Sequence, residues 1–587
     1  MPVETFPAPS KGWVQNGNII LASKDQAERL DNFIPTAQGA RLRGGATSYA
    51  DIGAAVVRLF TYRSGTTVDL LAATADSIFD ADRIAGGGSN TWAELEGLAS
   101  GDWSAEQIST TGGQFTIAVN GSDHMVYWDG TNFEPVTTVA VNDLGFDAET
   151  TGFTVGETVT GGTSGASATV LAIVKDSATS GTLKLGTITA GPFQDNEALT
   201  GSSTGAATAD GASAAVSTIT LTGVATAALS QVWLFKERLF FVEKNTSSAW
   251  YLPVESIGGA ATELDLGSVF SKGGSLLFGA RWSLDSGSGL DDVCVFVSTV
   301  GEIAVYEGTD PASANTWSLV GVYQIGTPLN KHAFFAAGGD LAILTDDGIV
   351  SVADALRLDR AALQASAMTF LIEDAWKAAV ADSTTAYPIN ATLWQAGTLL
   401  LVGTPDQYEG TNVSFVANAR TGAWARITGW DVRCGAVAGD QLYFANNAGK
   451  VLKADTGGQD DGSQFSGTYV PKFTMGPTWM SANAVGITYR ANAELNISLS
   501  AHSDYQIDDL TPPGTSIVAS GTTWGTGVWG TFIWRSASDK NSYTEWQAAY
   551  DNGYSLAPSV QITSNQTSKL VFDILATRIR FELGADL

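Results

Sequence analysis

Reactive and cross-linking side chains are nearly missing from this 587-residue chain, which has two cysteines and three histidines. Cys294 and Cys434 each sit in an apolar, strand-like run, so two buried thiols are expected rather than a disulfide. His124, His332 and His502 fall in three unrelated segments without the HxxxH or HExxH spacing of a zinc site, and are expected as surface or core residues. Charge is scarce as well: 16% of residues are charged, with 31 basic against 60 acidic, for a net −29. Tight DNA binding by phosphate neutralisation is therefore disfavoured. By default such acidity keeps a large protein soluble. It equally suits a surface past which DNA slides, where every phosphate contact would be a trap. Apolar runs are short, and none approaches the ~18 residues of a membrane span. The opening MPVETFPAPSKGW has no basic start followed by an apolar stretch. A soluble protein made in the cytosol, without membrane insertion, is expected, and the sequon Asn245-Thr246-Ser247 carries little meaning.

Catalytic motifs are equally scarce. There is no GxxxxGK[ST] and no GxSxG. GTGVWG (525–530) matches the dinucleotide-binding GxGxxG in letters only, since it lies in an all-β region and opens no helix. DSGSGLDD (285–292) and GGQDDGSQ (457–464) set carboxylates among glycines but lack the DxDxDG spacing and trailing Glu of a calcium loop, and are expected as polar loops. Among 60 acidic residues no glycosidase-like pair can be singled out, and most of the tryptophans should be packing residues. The sequence points to no enzyme, cofactor or metal, and singles out no catalytic, lumen or gate residue.

What is present is β texture: 65 glycines, 17 tryptophans, 25 phenylalanines and abundant Thr, Val and Ala. One shape recurs. VCVFVSTVGEIAVYEG (293–308) is two apolar runs about a Thr-Val-Gly turn. Similar units occur at 59–82, 115–130, 238–253, 341–355, 399–427 and 441–455, which is hairpin chemistry. Once two interruptions are removed they succeed one another every 40 to 60 residues, the period of propeller blades. Residues 46–141 and 224–460 then predict an irregular β-propeller of six or seven blades, at roughly 45–50 residues each.

The first interruption, 142–223, carries its own repeat. Phe153/Phe193, Glu157/Glu197, Gly161/Gly201 and Gly165/Gly205 are matching pairs 40 residues apart. This predicts a small two-fold β module inserted in a loop, where insertions are well tolerated. The second interruption predicts helix over about 354–382, with Leu363, Ala367, Phe370, Leu371, Trp376, Ala379 and Val380 as its inward stripe. After 457–462 the texture changes, and 461–587 predicts a C-terminal β-sandwich or platform domain. Residues 1–45 form an N-terminal segment.

ERLDNFIPTAQGARLRGGATSYADIG (28–53), with its DNFIP and RLRGG, resembles the start of the podovirus tail nozzle family, also called tail tubular protein B. VGVYQIGTPLNKHAFFAAGGDLAILTDDGIVSVADAL (320–356) is similar to that family's propeller core. LVFDILATRIRFEL (570–583) is similar to the closing strand of nozzle and packaged-DNA stabilisation proteins. The resemblance covers most of the chain except the 142–223 insert. It implies a structural bacteriophage tail protein of the virion, a hexamer forming a tube below the head-to-tail adaptor. Tail fibre or spike proteins would sit at its side. Double-stranded DNA would be retained before infection and then pass through the lumen without specific binding. The alternatives are a propeller that binds or cleaves glycans, and a tail fibre or spike adhesin.

Overall fold

The computed structural model describes residues 1–16, 23–85, 92–216, 218–285, 290–313, 315–405, 413–492, 495–508, 512–515 and 540–584. The GTGVWG stretch and residues 286–289 of DSGSGLDD lie outside them. The chain is all-β: an irregular β-propeller, a small inserted β module and a C-terminal β domain, with a few short helices.

Six free-standing blade sheets surround the propeller axis, and a seventh unit continues into a larger sheet. In order of their inner strands, blade 1 starts at Arg58–Ser64, blade 2 at Ser104–Thr110, blade 3 at Leu229–Phe235 and blade 4 at Leu276–Asp285. Blade 5 starts at Phe334–Ala337, the merged blade 6 at Asn390–Trp394 and blade 7 at Cys434–Ala438. Blade 7 takes its outer strand, Thr47–Asp51, from near the other end of the chain, pairing Lys450 with Asp51 and Lys453 with Thr47. Hydrogen bonds between distant segments therefore close the ring.

The hairpin texture has a direct cause in packing. In blade 4, Val293, Val295, Val297, Ile303 and Val305 share a core with Ile343 and Val350 of blade 5. The alternate residues Cys294, Phe296, Ala304 and Tyr306 share one with Trp233 and Phe240 of blade 3. A strand sends successive side chains to opposite faces, so a blade flanked on both sides must be apolar at nearly every position. Gly301 turns the hairpin at φ +81. At Gly279 any Cβ would strike the indole of Trp233, so the glycine admits that ring between blades 3 and 4.

The insert is a seven-stranded sheet running from Val141–Thr151 to Ala214–Val216. Its entry and exit lie side by side at the Thr137/Thr220 bridge. The two repeats clasp each other. Glu157 accepts from the amides of Thr154 in its own repeat and Ser203 in the other, at 2.6 and 3.0 Å. Glu197 accepts from Gln194 in its own repeat at 2.7 Å, and from Thr163 and Ser164 in the other at 3.0 and 2.9 Å. Gly161 and Gly201 leave room for these carboxylates. The module docks on blade 1 through the Leu95/Val174 bridge, and Ala172 and Val174 join a core with Leu71 and Trp103.

The expected helix is broken into Val352–Ala355, Arg360–Ser366, a 3-10 turn at Phe370–Ile372, and Glu373–Asp382. Leu363, Ala367, Trp376 and Ala379 are buried as the stripe predicts, but Phe370 is exposed and Ile372 is buried in its place. The reason is the break at Ala367, whose ψ of 141 ends the first helix and shifts the phase of the second.

The C-terminal strands Phe465–Pro471, Thr474–Ala491, Ile497–Ser503, Asn541–Ser564 and Phe572–Leu583 belong to a thirteen-stranded sheet. The N-terminal strands Val3–Pro7, Ala27–Asp31, Phe33–Thr36 and Gly39–Leu42 complete it, and Asp31 pairs with Arg426 of blade 6. Val560 and Ile562 face the main core, while Ala557 packs with Val470 and Phe473 in a second cluster, so the sheet is covered on both faces as in a sandwich. The 24-residue strand Asn541–Ser564 would span roughly 80 Å at ~3.3 Å per residue.

Candidate functional site

The residues just before or at the start of each inner strand gather at one mouth of the propeller. They enclose a cavity of about 1040 Å³, lined by Arg58, Asp102, Ser230, Leu276, Lys331 and Arg433 from blades 1, 2, 3, 4, 5 and 7, with Asn390 of blade 6. Asp102 is the hub. Lys331 Nζ lies 3.2 Å and His332 Nε2 2.9 Å from its carboxylate, with Arg58 Nε at 3.7 Å. Lys331 Nζ also donates to the Asp102 and Ser230 carbonyls at 2.6 and 3.0 Å. Arg58 Nη1 donates to Asn390 Oδ1 at 2.9 Å, whereas Nη2 is buried with no partner. Across the mouth, Lys244 Nζ donates to the Gly121 carbonyl at 3.0 Å, and Arg433 is held by Asn447 Oδ1 and the Ala386 carbonyl. Burial lowers the pKa of both Arg58 and Lys331. Asp102 opposes this for both, while Arg58 and Lys244 push Lys331 further down.

A neighbouring cavity of about 410 Å³ shares Arg58 and His332 and is walled by Phe60, Trp103, Trp233 and Phe334. Glu106 is the one carboxylate among the described residues lining it, whereas a glycosidase uses two. Burial pushes the Glu106 carboxyl up to about 7 against the pull of Arg281. A carboxyl whose folded pKa lies above its unfolded value favours folding while protonated, so its contribution is lost as pH rises from about 4.5 through 7. Glu106→Gln should therefore raise the melting temperature at about pH 8 and leave it unchanged near pH 4.5, which thermal denaturation at the two pH values reads directly.

None of the axial residues was singled out from sequence, yet a signal exists. Arg58, Asp102, Lys331 and Arg433 each stand immediately before or at the start of a blade's inner strand, in VVRLFTY, GDWSAE, NKHAFF and DVRCGA. A charged residue near that position in four of the seven repeats, blades 1, 2, 5 and 7, points to the axis. Of the histidines, His332 belongs to this site, His124 meets Thr226 Oγ1 at 3.0 Å, and His502 is buried with its pKa lowered by burial. Cys294 and Cys434 are buried and free, and burial pushes the Cys434 thiol up to about 12. In GGQDDGSQ, the Asp460 carboxylate is taken by Arg43 and Trp430, and Asp461 pairs with Lys450. Among the described residues no group of three His, Cys, Asp or Glu side chains could hold a metal ion, and no helix is long and apolar enough to cross a membrane.

A second surface lies midway along the strand Asn541–Ser564, where the first residues of Thr474–Ala491 pair with it. Met475, Trp479, Tyr550, Tyr554 and Leu583 are 59, 42, 79, 58 and 52% exposed. Register brings them together: Met480 pairs with both Gly553 and Leu583, and Met475 with Ser555. The rings of Trp479 and Tyr554 meet edge-on at 5.2 Å. Exposed aromatics grouped in this way form a candidate interaction surface.

No family model matches the chain, and no curated protein does. Among solved structures it is similar to the computationally designed Ika8 protein, with 10% identity over 70% of this chain and 98% of that one, at a TM-score of 0.34. Saccharomyces cerevisiae Sqt1 matches with 10% identity over 70% and 98% and a TM-score of 0.32. The β-propeller domain of Cps50 (Swd1) from Myceliophteria thermophila matches with 7% identity over 71% and 99% and a TM-score of 0.26.

Proposed function

We propose that this chain is a tail nozzle subunit of a podovirus-like bacteriophage, a structural protein of the virion tail. Six copies form a tube below the head-to-tail adaptor, flanked by fibre or spike proteins. The tube retains packaged DNA and conducts it during ejection. The observation that carries this reading is the group of exposed aromatics Trp479, Tyr550 and Tyr554 on the long C-terminal strands, in a chain of net charge −29. Identical subunits in a ring meet through heterologous contacts, in which a patch on one subunit docks on a different patch of its neighbour, and an aromatic cluster of this kind suits one of the two. A net charge of −29 disfavours lasting contacts with the phosphates of passing DNA. The resemblance of DNFIP, RLRGG and the closing strand to the nozzle family supports the same conclusion.

Negative-stain imaging of the purified protein, alone and mixed with an adaptor, tests it. Six-fold rings or tubes with an open centre are expected. Isolated discs in both samples would overturn the nozzle and turn attention to a glycan screen.

A further inference from the structure

The axial mouth runs against the electrostatics of the whole chain. Acidic residues outnumber basic ones by 60 to 31, yet the charged side chains lining the large cavity are Arg58, Lys244, Lys331 and Arg433 against Asp102 alone, with His332 beside it. A cavity built without regard to charge would follow the acidic average. Concentrating like charges in a walled space is costly unless a counter-charge arrives.

The existing bonds leave that counter-charge incomplete. Asp102 is shared by Lys331, His332 and Arg58, and Arg58 Nε at 3.7 Å is beyond hydrogen-bond reach of it. Because Arg58 Nη2 is buried without a partner, a small shift of the guanidinium toward an arriving oxyanion would break no bond at that nitrogen. Lys244 and Arg433 donate to neutral oxygens, and Arg433 also lies over the Tyr387 ring. Their positive charges are therefore free to act on a ligand. Burial is the main cause that lowers the affinity of Lys331 for its proton, and repulsion from Arg58 and Lys244 adds to it against the pull of Asp102. Ser100, Asn245 and Thr385 add neutral hydrogen-bonding groups to the wall. A volume of about 1040 Å³ holds a nucleotide-sized molecule.

We propose that the propeller's axial mouth binds a small multivalent oxyanion of the phosphate class, with Arg58, Lys244, Lys331 and Arg433 as its cationic contacts. Arginine forks and lysine point charges are the usual partners of phosphate oxygens. Four fixed cations against one carboxylate favour a ligand of two or three charges over a monoanion. This site is separate from the surface that carries the nozzle reading and stands or falls without it.

Titration calorimetry of the full chain with inorganic pyrophosphate, at constant ionic strength, tests the proposal. Saturable binding is expected in the wild-type protein, weakened about tenfold or more by Lys244→Gln and again by Arg433→Gln. Lys244 is an exposed residue, so its variant should keep the fold. Adenosine triphosphate in a second titration separates the two sources of phosphate. Affinity equal to pyrophosphate assigns the site to the phosphates alone, and tighter binding assigns the rest of the cavity to the nucleoside. No saturable heat from wild-type protein with either probe would overturn the proposal, as would affinity left unchanged in both variants.

Discussion

Arg43→Met should destabilise the chain by about 3–5 kcal/mol, the cost of stranding one partner of a buried ion pair. Arg43 is completely buried. Its guanidinium donates to Asn32 Oδ1 at 2.7 Å, to the Gly44 and Thr428 carbonyls at 2.9 and 3.0 Å, and to both oxygens of Asp460 at 2.8 and 2.6 Å. Phe465 and Trp430 lie over its two sides, with centroids 4.0 and 4.7 Å away. These partners come from the N-terminal strands, from blade 6 and its exit, and from the first C-terminal strand, so one side chain ties three distant parts of the chain. Asp460 would keep Trp430 Nε1 at 3.0 Å and the amide of Ala46 at 3.2 Å, but lose its ion pair with Arg43. Arg43→Lys should recover little, because an ammonium cannot copy a planar fork of five donors. Pairing Arg43→Met with Asp460→Asn should restore part of the loss. Denaturant titrations followed by tryptophan fluorescence measure all three, and a cost below about 1 kcal/mol for Arg43→Met would show that the hub is not structural.

That hub illustrates what could be read from the residues and what could not. RLRGG is legible in the sequence only as a resemblance, whereas the structure gives four of its five residues a polar or steric task and buries the fifth, Leu42, in the main core. Arg41 pairs with Asp455 at 3.1 Å, Arg43 with Asp460, and Gly44 and Gly45 pass too close to the backbones of Asp455 and Gln459 for any Cβ. The partners lie more than 400 residues away, and no local pattern announces a pairing at that separation. The same limit hid the closure of blade 7 by Thr47–Asp51 and the entry of the N-terminal strands into the C-terminal sheet. Hairpins, by contrast, were legible because alternation and turn residues are local. The 40-residue repeat of the insert was legible too. Its glutamates matched by spacing, though only the fold reveals that each reaches across to cap the other repeat's turn. Phe370 misled because a helical stripe presumes an unbroken helix. The axial cations went unnoticed because each is a single residue in its own blade, and only the ring assembles them.

Replacing Trp479 and Tyr554 together by aspartate should abolish ring formation while leaving the subunit folded. The side chains are 42% and 58% exposed, and their rings meet edge-on at 5.2 Å. Exposed substitutions away from buried partners usually change stability by less than about 0.5 kcal/mol. At an interface the balance differs, because an aromatic ring buries about 150–250 Å² and central aromatics carry a disproportionate share of the binding energy. Two carboxylates per subunit, repeated at every joint of the proposed six-membered ring, would add charge repulsion between chains that each carry a net −29. Sedimentation velocity compares the species present, and circular dichroism confirms the fold. A control is supplied by Leu319, Val320 and Val322, the exposed apolar residues on the outer strand of blade 4, Trp317–Gln324. Val320→Asp with Val322→Asp should leave assembly intact if the joint is on the C-terminal ribbon. The reverse pattern, rings retained in the Trp479/Tyr554 variant and lost in the blade 4 variant, would move the subunit joint to the propeller rim and make the edge of blade 4 the surface on which neighbours pair.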